Sequence, residues 1–141
     1  MIQRIQTLWL FLSTACAAIF IFLPVYKGVF LNGTWQAVSI SENLFLLSGA
    51  TVSGCIGLIT IFLFKKRKVQ KRLIILNILL TIGVFVAQYY LIEIYKKDIG
   101  IVQGDWQMTA ILPLFILVFH VFAYRGIAAD EKLLSSADRM R

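Results

Sequence analysis

Hydrophobic residues dominate four long stretches of the chain, and polar or charged residues collect between them. The stretches cover residues 8–26, 43–64, 73–95 and 106–124. Each is about as long as the roughly 20 residues that an α-helix needs to cross a hydrocarbon layer of about 30 Å. Continuous apolar runs indicate helices, since the strands of a membrane barrel alternate over about ten residues. The pattern predicts an all-α polytopic membrane protein, a four-helix transmembrane bundle that occupies residues 1–141 as a single domain.

The composition agrees with this class of protein. Hydrophobic residues make up 60% and charged residues 15% of the 141 residues, whereas soluble globular domains contain about 45–50% and about 25%. These proportions exclude a disordered chain and an ordinary soluble domain. Cys16 and Cys55 both fall inside apolar stretches, without a Cys-x-x-Cys pair or a Cys/His cluster. We therefore expect no disulfide framework, no metal site and no cofactor.

Lysine and arginine are distributed unequally between the two sides of the predicted membrane. The N-terminal segment, the loop after the second stretch and the C-terminal tail carry eleven of the fourteen. The positive-inside rule therefore predicts that both termini lie in the cytoplasm. The loop is also expected to attract anionic lipids, and more weakly nucleic acid or a ribosome, because no aromatic residues interleave with its charges. Its basic residues are Lys65, Lys66, Arg67, Lys68, Lys71 and Arg72.

The first outer loop carries a turn signal. Asn32-Gly33 lies between two β-favouring stretches, and this dipeptide is typical of a two-residue hairpin turn whose central residues adopt positive φ. We expect a small extracytoplasmic β-hairpin. Residues 99–102 in the second outer loop are a candidate third strand.

Small residues repeat along one side of the second predicted helix. They are spaced by four residues, with two more small residues beside them, which allows another helix to approach closely. The first helix is the favoured partner because it carries small residues at a matching spacing, and a helix of another protein is the alternative. The residues of this face are Gly49, Ser53 and Gly57, flanked by Ala50 and Gly54.

Polar residues inside the stretches fall into two groups when their depths are compared across an antiparallel bundle. The first group lies about 6 Å from the inner boundary, and the second lies nearer the outer side. We expect each group to form hydrogen bonds between helices, with a substrate path as the alternative. The inner group is Thr60, Asn77 and His120, and the outer group is Thr51 and Gln88.

Two ionisable side chains inside the predicted spans are functional candidates by default. Glu93 is followed by Lys96 and Lys97 at the spacing that favours ion pairs on a helix, so we expect a paired carboxylate. His120 lies near the opposite boundary, about 20 Å away at the rise of an α-helix. The two cannot form one acid–base pair. We expect His120 to be neutral and to hydrogen-bond within the bundle.

The C-terminal tail, residues 125–141, is predicted to extend the fourth helix into the cytoplasm. Ile127 and Leu134 lie on one stripe of this extension, and charges of both signs surround them. Mixed charges fit a protein surface better than an anionic membrane, so we expect the tail to dock a membrane-protein partner. The candidate docking residues are Asp130, Glu131, Leu134, Asp138, Arg139 and Arg141.

The two ends of the chain carry sequence motifs that resemble those of a known family. Residues 1–7, MIQRIQT, and residues 130–141, DEKLLSSADRMR, together with four spans in about 140 residues, resemble an uncharacterised family of small four-helix integral membrane proteins of the Bacteroidota, a domain of unknown function. The resemblance implies a location in the bacterial inner membrane and supplies no activity.

The sequence offers no constellation of residues typical of catalysis, so we expect this protein not to be an enzyme. The first hypothesis is a non-enzymatic accessory or scaffolding subunit of a larger bacterial inner-membrane assembly. It would dock through the tail and through the small-residue face of the second helix. The alternative is a small homo-oligomeric membrane transporter, although such proteins typically place a charge or a broken helix near the middle of the membrane.

Overall fold

The computed structural model describes residues 2–30, 33–64, 66–98 and 101–139. Two short 3-10 turns, Ile40–Glu42 and Met108–Ile111, precede the second and fourth helices of this part of the chain. The longer elements follow in the order α1 (Ile2–Phe22), β1 (Pro24–Phe30), β2 (Trp35–Ser39), α2 (Leu44–Phe62), α3 (Arg67–Asp98), β3 (Ile101–Trp106) and α4 (Leu112–Arg139).

The helices form a ring in which each one packs against two others. α1 contacts α2 and α4, and α3 contacts the same two helices. Within the described residues, four helices are long and apolar enough to cross a membrane, as the hydropathy pattern predicts. One end of this bundle carries the β-strands and is called the sheet end. The other end carries the basic turn between α2 and α3 and is called the basic end.

Several helix ends differ from the predicted stretches. α1 ends at Phe22 and α4 begins at Leu112, so residues 24–26 and Trp106 belong to strands and not to helices. The apolar runs continue through these strands, and hydropathy alone does not separate an apolar strand from an apolar helix end. At the basic end, α3 begins at Arg67, so most of the predicted loop 65–72 is helical. The predicted continuation of the fourth helix into the tail is confirmed, because α4 extends to Arg139.

The predicted hairpin and third strand are confirmed. In the described part of the chain, β1 pairs with β2 and with β3, both antiparallel, in the order β2-β1-β3. Gly33 has a φ of +73°, a left-handed conformation that glycine adopts without steric cost. The predicted two-residue turn at Asn32-Gly33 would place Leu31 opposite Thr34, but β1 and β2 pair Val29 with Trp35, a register that does not fit a two-residue loop. Asn32 and residues 99–100 lie outside the described residues. The third strand is Ile101–Trp106 and so begins later than predicted.

The small sheet is held by the helix ends beneath it. Val25 and Tyr26 of β1 are almost fully buried and pack in one apolar cluster with Ile92 of α3. The backbone N–H of Gln107 donates to Val25 O, and the Thr109 hydroxyl donates to the carbonyl oxygen of Pro24. A sheet this small is marginal by itself, so its stability depends on these contacts with the bundle.

α3 extends past its neighbours at the sheet end. Gln88 lies beside Ala110, just before α4 begins, and it shares the lining of a small void with Asn43, the N-cap of α2. The part of α3 beyond Gln88, up to Asp98, therefore lies above the ends of α2 and α4 and packs against β3. Glu93 consequently lies on this projecting segment and not between the helices.

Candidate functional site

A cluster of four buried polar side chains joins α2, α3 and α4 at the centre of the bundle. This central polar cluster comprises Ser53, Asn77, Thr81 and His120, each at most 5% exposed. Asn77 Nδ2 lies 3.0 Å from Ser53 O and 2.8 Å from His120 Nε2. The Thr81 hydroxyl donates to Asn77 O at 2.7 Å, so the Ser53 hydroxyl is the donor in the 3.3 Å contact between the two hydroxyls. Hydrogen bonds from Asn77 and Ser53 therefore connect α3 to α2 and α4 in this cluster.

The hydrogen-bond partners of His120 define its protonation. Nδ1 lies 2.7 Å from Ile116 O, which only accepts, so Nδ1 carries the proton. Nε2 faces the amide nitrogen of Asn77, which only donates, so Nε2 is the acceptor. The imidazole is held neutral with both nitrogens in use. Asn77 Oδ1 has no hydrogen-bond partner among the described residues.

The predicted hydrogen bonding between helices in the inner group is correct for two of its three residues. The structure brings Asn77 and His120 together, whereas Thr60 donates to Ile56 O of its own helix at 2.6 Å. The carbonyl of Thr60 accepts from Gln70 Nε2 at 3.1 Å. Because α3 begins near residue 67 and not at 73, Gln70 is the residue level with Thr60, and Asn77 lies deeper, beside Ser53.

The predicted hydrogen bond between the two residues of the outer group, Thr51 and Gln88, is wrong. Thr51 is exposed on the surface of the bundle and donates to Leu47 O of its own helix at 2.7 Å. Gln88 is 2% exposed and points into the bundle interior. Depth along a helix axis does not determine on which side of the helix a residue lies.

The small-residue face of α2 packs inside the bundle. A Cβ added at Gly49 would lie 2.7 Å from Val84 Cγ2 of α3, and one added at Gly57 would lie 2.8 Å from Thr14 Oγ1 of α1. Neither position accepts a larger side chain without displacement of a neighbouring helix. This face is therefore occupied by α1, as predicted, and by α3 as well. Its other members are Ala50, Ser53 and Gly54.

At the basic end, α4 is tied to α1 and α3. The buried Gln6 side chain donates to Asp130 Oδ2 at 2.7 Å, and Gly126 allows this approach because an added Cβ would lie 2.9 Å from Gln6 Cγ. Lys71 donates to Glu131 in an ion pair. Two of the acidic residues predicted to dock a partner are thus bound within the chain.

The Lys71–Glu131 pair lies beyond the predicted spans 73–95 and 106–124. Other residues predicted to act at this end, Lys65 and Arg141, lie outside the described residues, as do the side chains of Leu134, Asp138 and Arg139.

An aromatic and charged cluster covers the sheet end. Trp106 stacks on Tyr89, with ring centroids 5.8 Å apart, and meets Tyr26 edge-on at 5.6 Å. Lys96 Nζ lies 5.1 Å from the Tyr26 ring centre and 5.5 Å from that of Trp106. Lys96 also pairs with Glu93 Oε1 at 2.7 Å, at the predicted i+3 spacing. These aromatic residues are far apart in the sequence, and only the fold brings β1, β3 and α3 together.

Two surface hollows flank α3. The sheet-end cavity, of about 530 Å³, lies between α3, α4 and β3 and is lined by Gln88, Tyr89, Trp106 and several apolar residues. The second hollow, the α2–α3 groove, has a volume of about 740 Å³ and includes Gly83 in its lining. Apart from its chain neighbours and the adjacent backbone of α3, no described heavy atom lies within 4 Å of a Cβ added at Gly83.

A family model described as a domain of unknown function, DUF4293, matches residues 2–140. The chain belongs to the DUF4293 family. The family resemblance inferred from the two ends of the chain is thereby confirmed. No match is found among curated proteins, and none among solved structures. The DUF4293 domain contains the central polar cluster, the paired residues of the basic end and both hollows beside α3.

The Ser13 hydroxyl of α1 donates to Leu10 O of its own helix at 2.7 Å. Among the residues that the structure describes, no group of three or more His, Cys, Asp or Glu lies close enough to hold a metal ion. Cys55 is exposed on the bundle surface and Cys16 is half-buried.

Proposed function

We propose that this DUF4293 protein is a non-enzymatic accessory or scaffolding subunit of a larger assembly in the inner membrane of a bacterium of the Bacteroidota. The helices α1 to α4 would cross the membrane, with both termini and the basic end in the cytoplasm. Two features support this arrangement. The helices are long and apolar enough to span a bilayer, and the lysine and arginine residues are concentrated at one end.

The observation that carries the accessory role is the position of Gly83. The glycines of α2 pack closely against α1 and α3. Gly83 of α3, in contrast, faces the open α2–α3 groove. Ala87 also lines this groove, one turn further along α3. Small residues four apart on an exposed helix face allow a second helix backbone to approach closely. The groove therefore suits one transmembrane helix of a partner protein.

The tail contributes a second candidate contact. Asp130 and Glu131 are bonded within the chain, so the candidate contact is the part of α4 that follows residue 133. The backbone of α4 continues as a helix to Arg139. We propose that this terminal segment binds the cytoplasmic side of the same partner.

The test is an affinity purification of the tagged full-length protein from its native host in mild detergent. We expect a stoichiometric membrane-protein partner with the unaltered chain and with Ala18→Leu, which enlarges a small exposed residue on α1. Gly83→Leu should lose this partner, because the added side chain fills the groove. Deletion of residues 134–141, which leaves the Asp130 and Glu131 bonds intact, should weaken its recovery. Equal recovery with Gly83→Leu would contradict docking in the groove.

The alternative, a small homo-oligomeric transporter, is supported by one observation. Asn77 Oδ1 is buried in the central polar cluster and lacks a partner among the described residues, as a solute-binding group would. Recovery of only a discrete homodimer in the purification would favour this alternative. Solute uptake by cells that express Asn77→Leu or His120→Leu would then be the measurement to make.

A further inference from the structure

One exposed stripe of α3 changes from basic to apolar as it leaves the basic end of the bundle. Lys68, Arg72, Ile75 and Leu79 are spaced by four, three and four residues, so they lie on the same side of the helix. All four side chains are exposed. These four residues form the outward stripe, in which two cations are followed by two aliphatic side chains.

The cations of the outward stripe differ from the basic residue beside them. Lys71 faces α4, where it forms the ion pair with Glu131. Among the described residues, no carboxylate lies within ion-pair distance of Lys68 or Arg72, and the first turn of α3 contains no acidic residue. These two charges are therefore available to an anion from outside the chain.

Lys68 and Arg72 are close enough to share one phosphate group. Side chains four residues apart on a helix are neighbours, with Cβ atoms about 5–6 Å apart. Arginine binds phosphate through paired N–H groups, and lysine binds it as a compact point charge. Lys66, exposed just before α3 begins, adds a third positive charge nearby. This end of the stripe therefore suits a phosphate group.

The length of α3 places these cations at the membrane surface in the proposed arrangement. The helix has 32 residues, more than the roughly 20 that cross the hydrocarbon layer, and the predicted span begins at residue 73. Lys68 and Arg72 would then lie at the level of the headgroups, and Ile75 and Leu79 would face the acyl chains. A free anion or a nucleic acid uses the charges alone, whereas a phospholipid uses both halves of the stripe.

We propose that the outward stripe binds one anionic phospholipid of the cytoplasmic leaflet. The phosphate group would lie between Lys68 and Arg72, and an acyl chain would lie along Ile75 and Leu79. The net charge of the headgroup decides the preference. Phosphatidylglycerol carries one negative charge, whereas phosphatidylcholine adds to its phosphate a quaternary ammonium that the two cations repel. The inference rests on the proposed membrane insertion and not on the proposed partner.

The test is native mass spectrometry of the purified, delipidated full-length protein in neutral detergent, titrated with each of these two lipids at matched acyl chains. We expect one phosphatidylglycerol to bind about 30-fold more tightly than phosphatidylcholine, the effect of two basic residues at about 1 kcal/mol each. Equal binding of the two lipids to the unaltered protein would overturn the proposal.

Paired charge variants locate the site. Lys68→Gln combined with Arg72→Gln should abolish the preference for phosphatidylglycerol. The matched control is Lys27→Gln combined with Lys97→Gln, which removes the same charge from two exposed positions at the sheet end and should keep the preference. Equal preferences in the two double variants would show that net charge alone attracts the lipid, and would overturn the assignment to the outward stripe.

Two competitors distinguish a lipid from other phosphates. Inorganic phosphate at the concentration of the lipid should not displace phosphatidylglycerol, because it makes no contact with Ile75 and Leu79, and full displacement would overturn the assignment to a lipid. Binding of a short single-stranded RNA through Lys68 and Arg72, without a lipid preference, would assign the stripe to nucleic acid instead. Loss of the partner with Gly83→Leu is measured in a different experiment, so the two proposals can fail separately.

Discussion

Asn77 is the side chain through which three helices are connected. Its amide nitrogen donates one hydrogen bond to His120 Nε2 on α4 and a second one to Ser53 O on α2. Hydrogen bonds between membrane helices contribute about 0.6 kcal/mol on average and up to about 1.7 kcal/mol. Because Asn77 makes two such bonds and keeps Nε2 of His120 paired, it should contribute more to stability than an average polar residue of the bundle.

We expect Asn77→Leu to lower the free energy of unfolding by about 1–3 kcal/mol, because it removes both bonds and leaves a buried acceptor unpaired. The measurement is the thermal unfolding midpoint in detergent. Thr51→Val is the matched control, since the Thr51 hydroxyl is exposed and bonds only within α2. Its midpoint should remain close to that of the unaltered protein. Equal decreases in the two variants would contradict the role of Asn77.

Residue positions were predictable from the sequence where depth alone determines the contact. Asn77 and His120 lie at similar depths and do meet. Thr60 and Thr51 fail for two different reasons. The depth of Asn77 is counted from a predicted span start at residue 73, six residues after the true start of α3, so Asn77 lies deeper than Thr60 and not level with it. Thr51 points away from the interior. The contact between Gln6 and Asp130 joins residues 124 positions apart, and no local pattern indicates it.

At the scale of whole elements, α2 is the helix whose packing is most restricted. Its neighbours approach so closely that Gly49 and Gly57 have no room for a Cβ. Between membrane helices, close packing of this kind supplies much of the attraction, because lipid tails are as apolar as the side chains. The glycines of α2 are therefore structural, whereas Gly83 of α3 has open space beside it.

This difference gives a paired prediction. Gly57→Leu should lower the free energy of unfolding by about 1–3 kcal/mol, the usual cost of an overpacked interior, because the new side chain meets Thr14. Gly83→Leu should leave it unchanged or raise it, since leucine is the better helix former. Unfolding midpoints of the purified proteins in detergent provide the measurement. Similar midpoints for the two variants would show that α1 and α2 are not packed as described.

The helices and the hairpin could be predicted from the sequence more reliably than the residues at which they begin and end. Apolar runs of this length have few alternatives to helices, and Asn-Gly is a strong local signal for a hairpin, so both were visible in the sequence. Residues 24–26 and Trp106 could not be assigned correctly, because a buried strand and a helix end have the same apolar character. What decides between them is strand pairing: Pro24 and Tyr26 pair with β2, and Tyr26 also pairs with Trp106 of β3. Hydropathy does not indicate these contacts.

For the molecule as a whole, the proposed orientation follows from the contrast between its two ends. The basic end carries exposed Lys66, Lys68 and Arg72, among other basic residues. The sheet end carries aromatic residues and three lysines, Lys27, Lys96 and Lys97, of which Lys96 pairs with Glu93. Positive charge retained on the cytoplasmic side would hold the bundle in one orientation. The sheet would then lie on the opposite side of the membrane.

Cysteine labelling tests this orientation. In a chain with Cys16→Ala and Cys55→Ala, we expect Thr34→Cys, next to the hairpin turn, to react with a membrane-impermeant maleimide in intact spheroplasts. Lys66→Cys should react only after the membrane is permeabilised. Both positions are exposed in the folded chain, so a difference in labelling reports on the membrane and not on burial. The reverse pattern would contradict the proposed orientation.

The unbroken length of α3 has a mechanical consequence. With 32 residues and about 1.5 Å per residue, it is a rod of about 48 Å, longer than the hydrocarbon layer of about 30 Å. Lys71, Asn77, Gln88 and Lys96 all lie on this one rod. A tilt or rotation of α3 caused by a contact at the sheet would therefore reach the basic end directly, and the pairs at both ends would shift together.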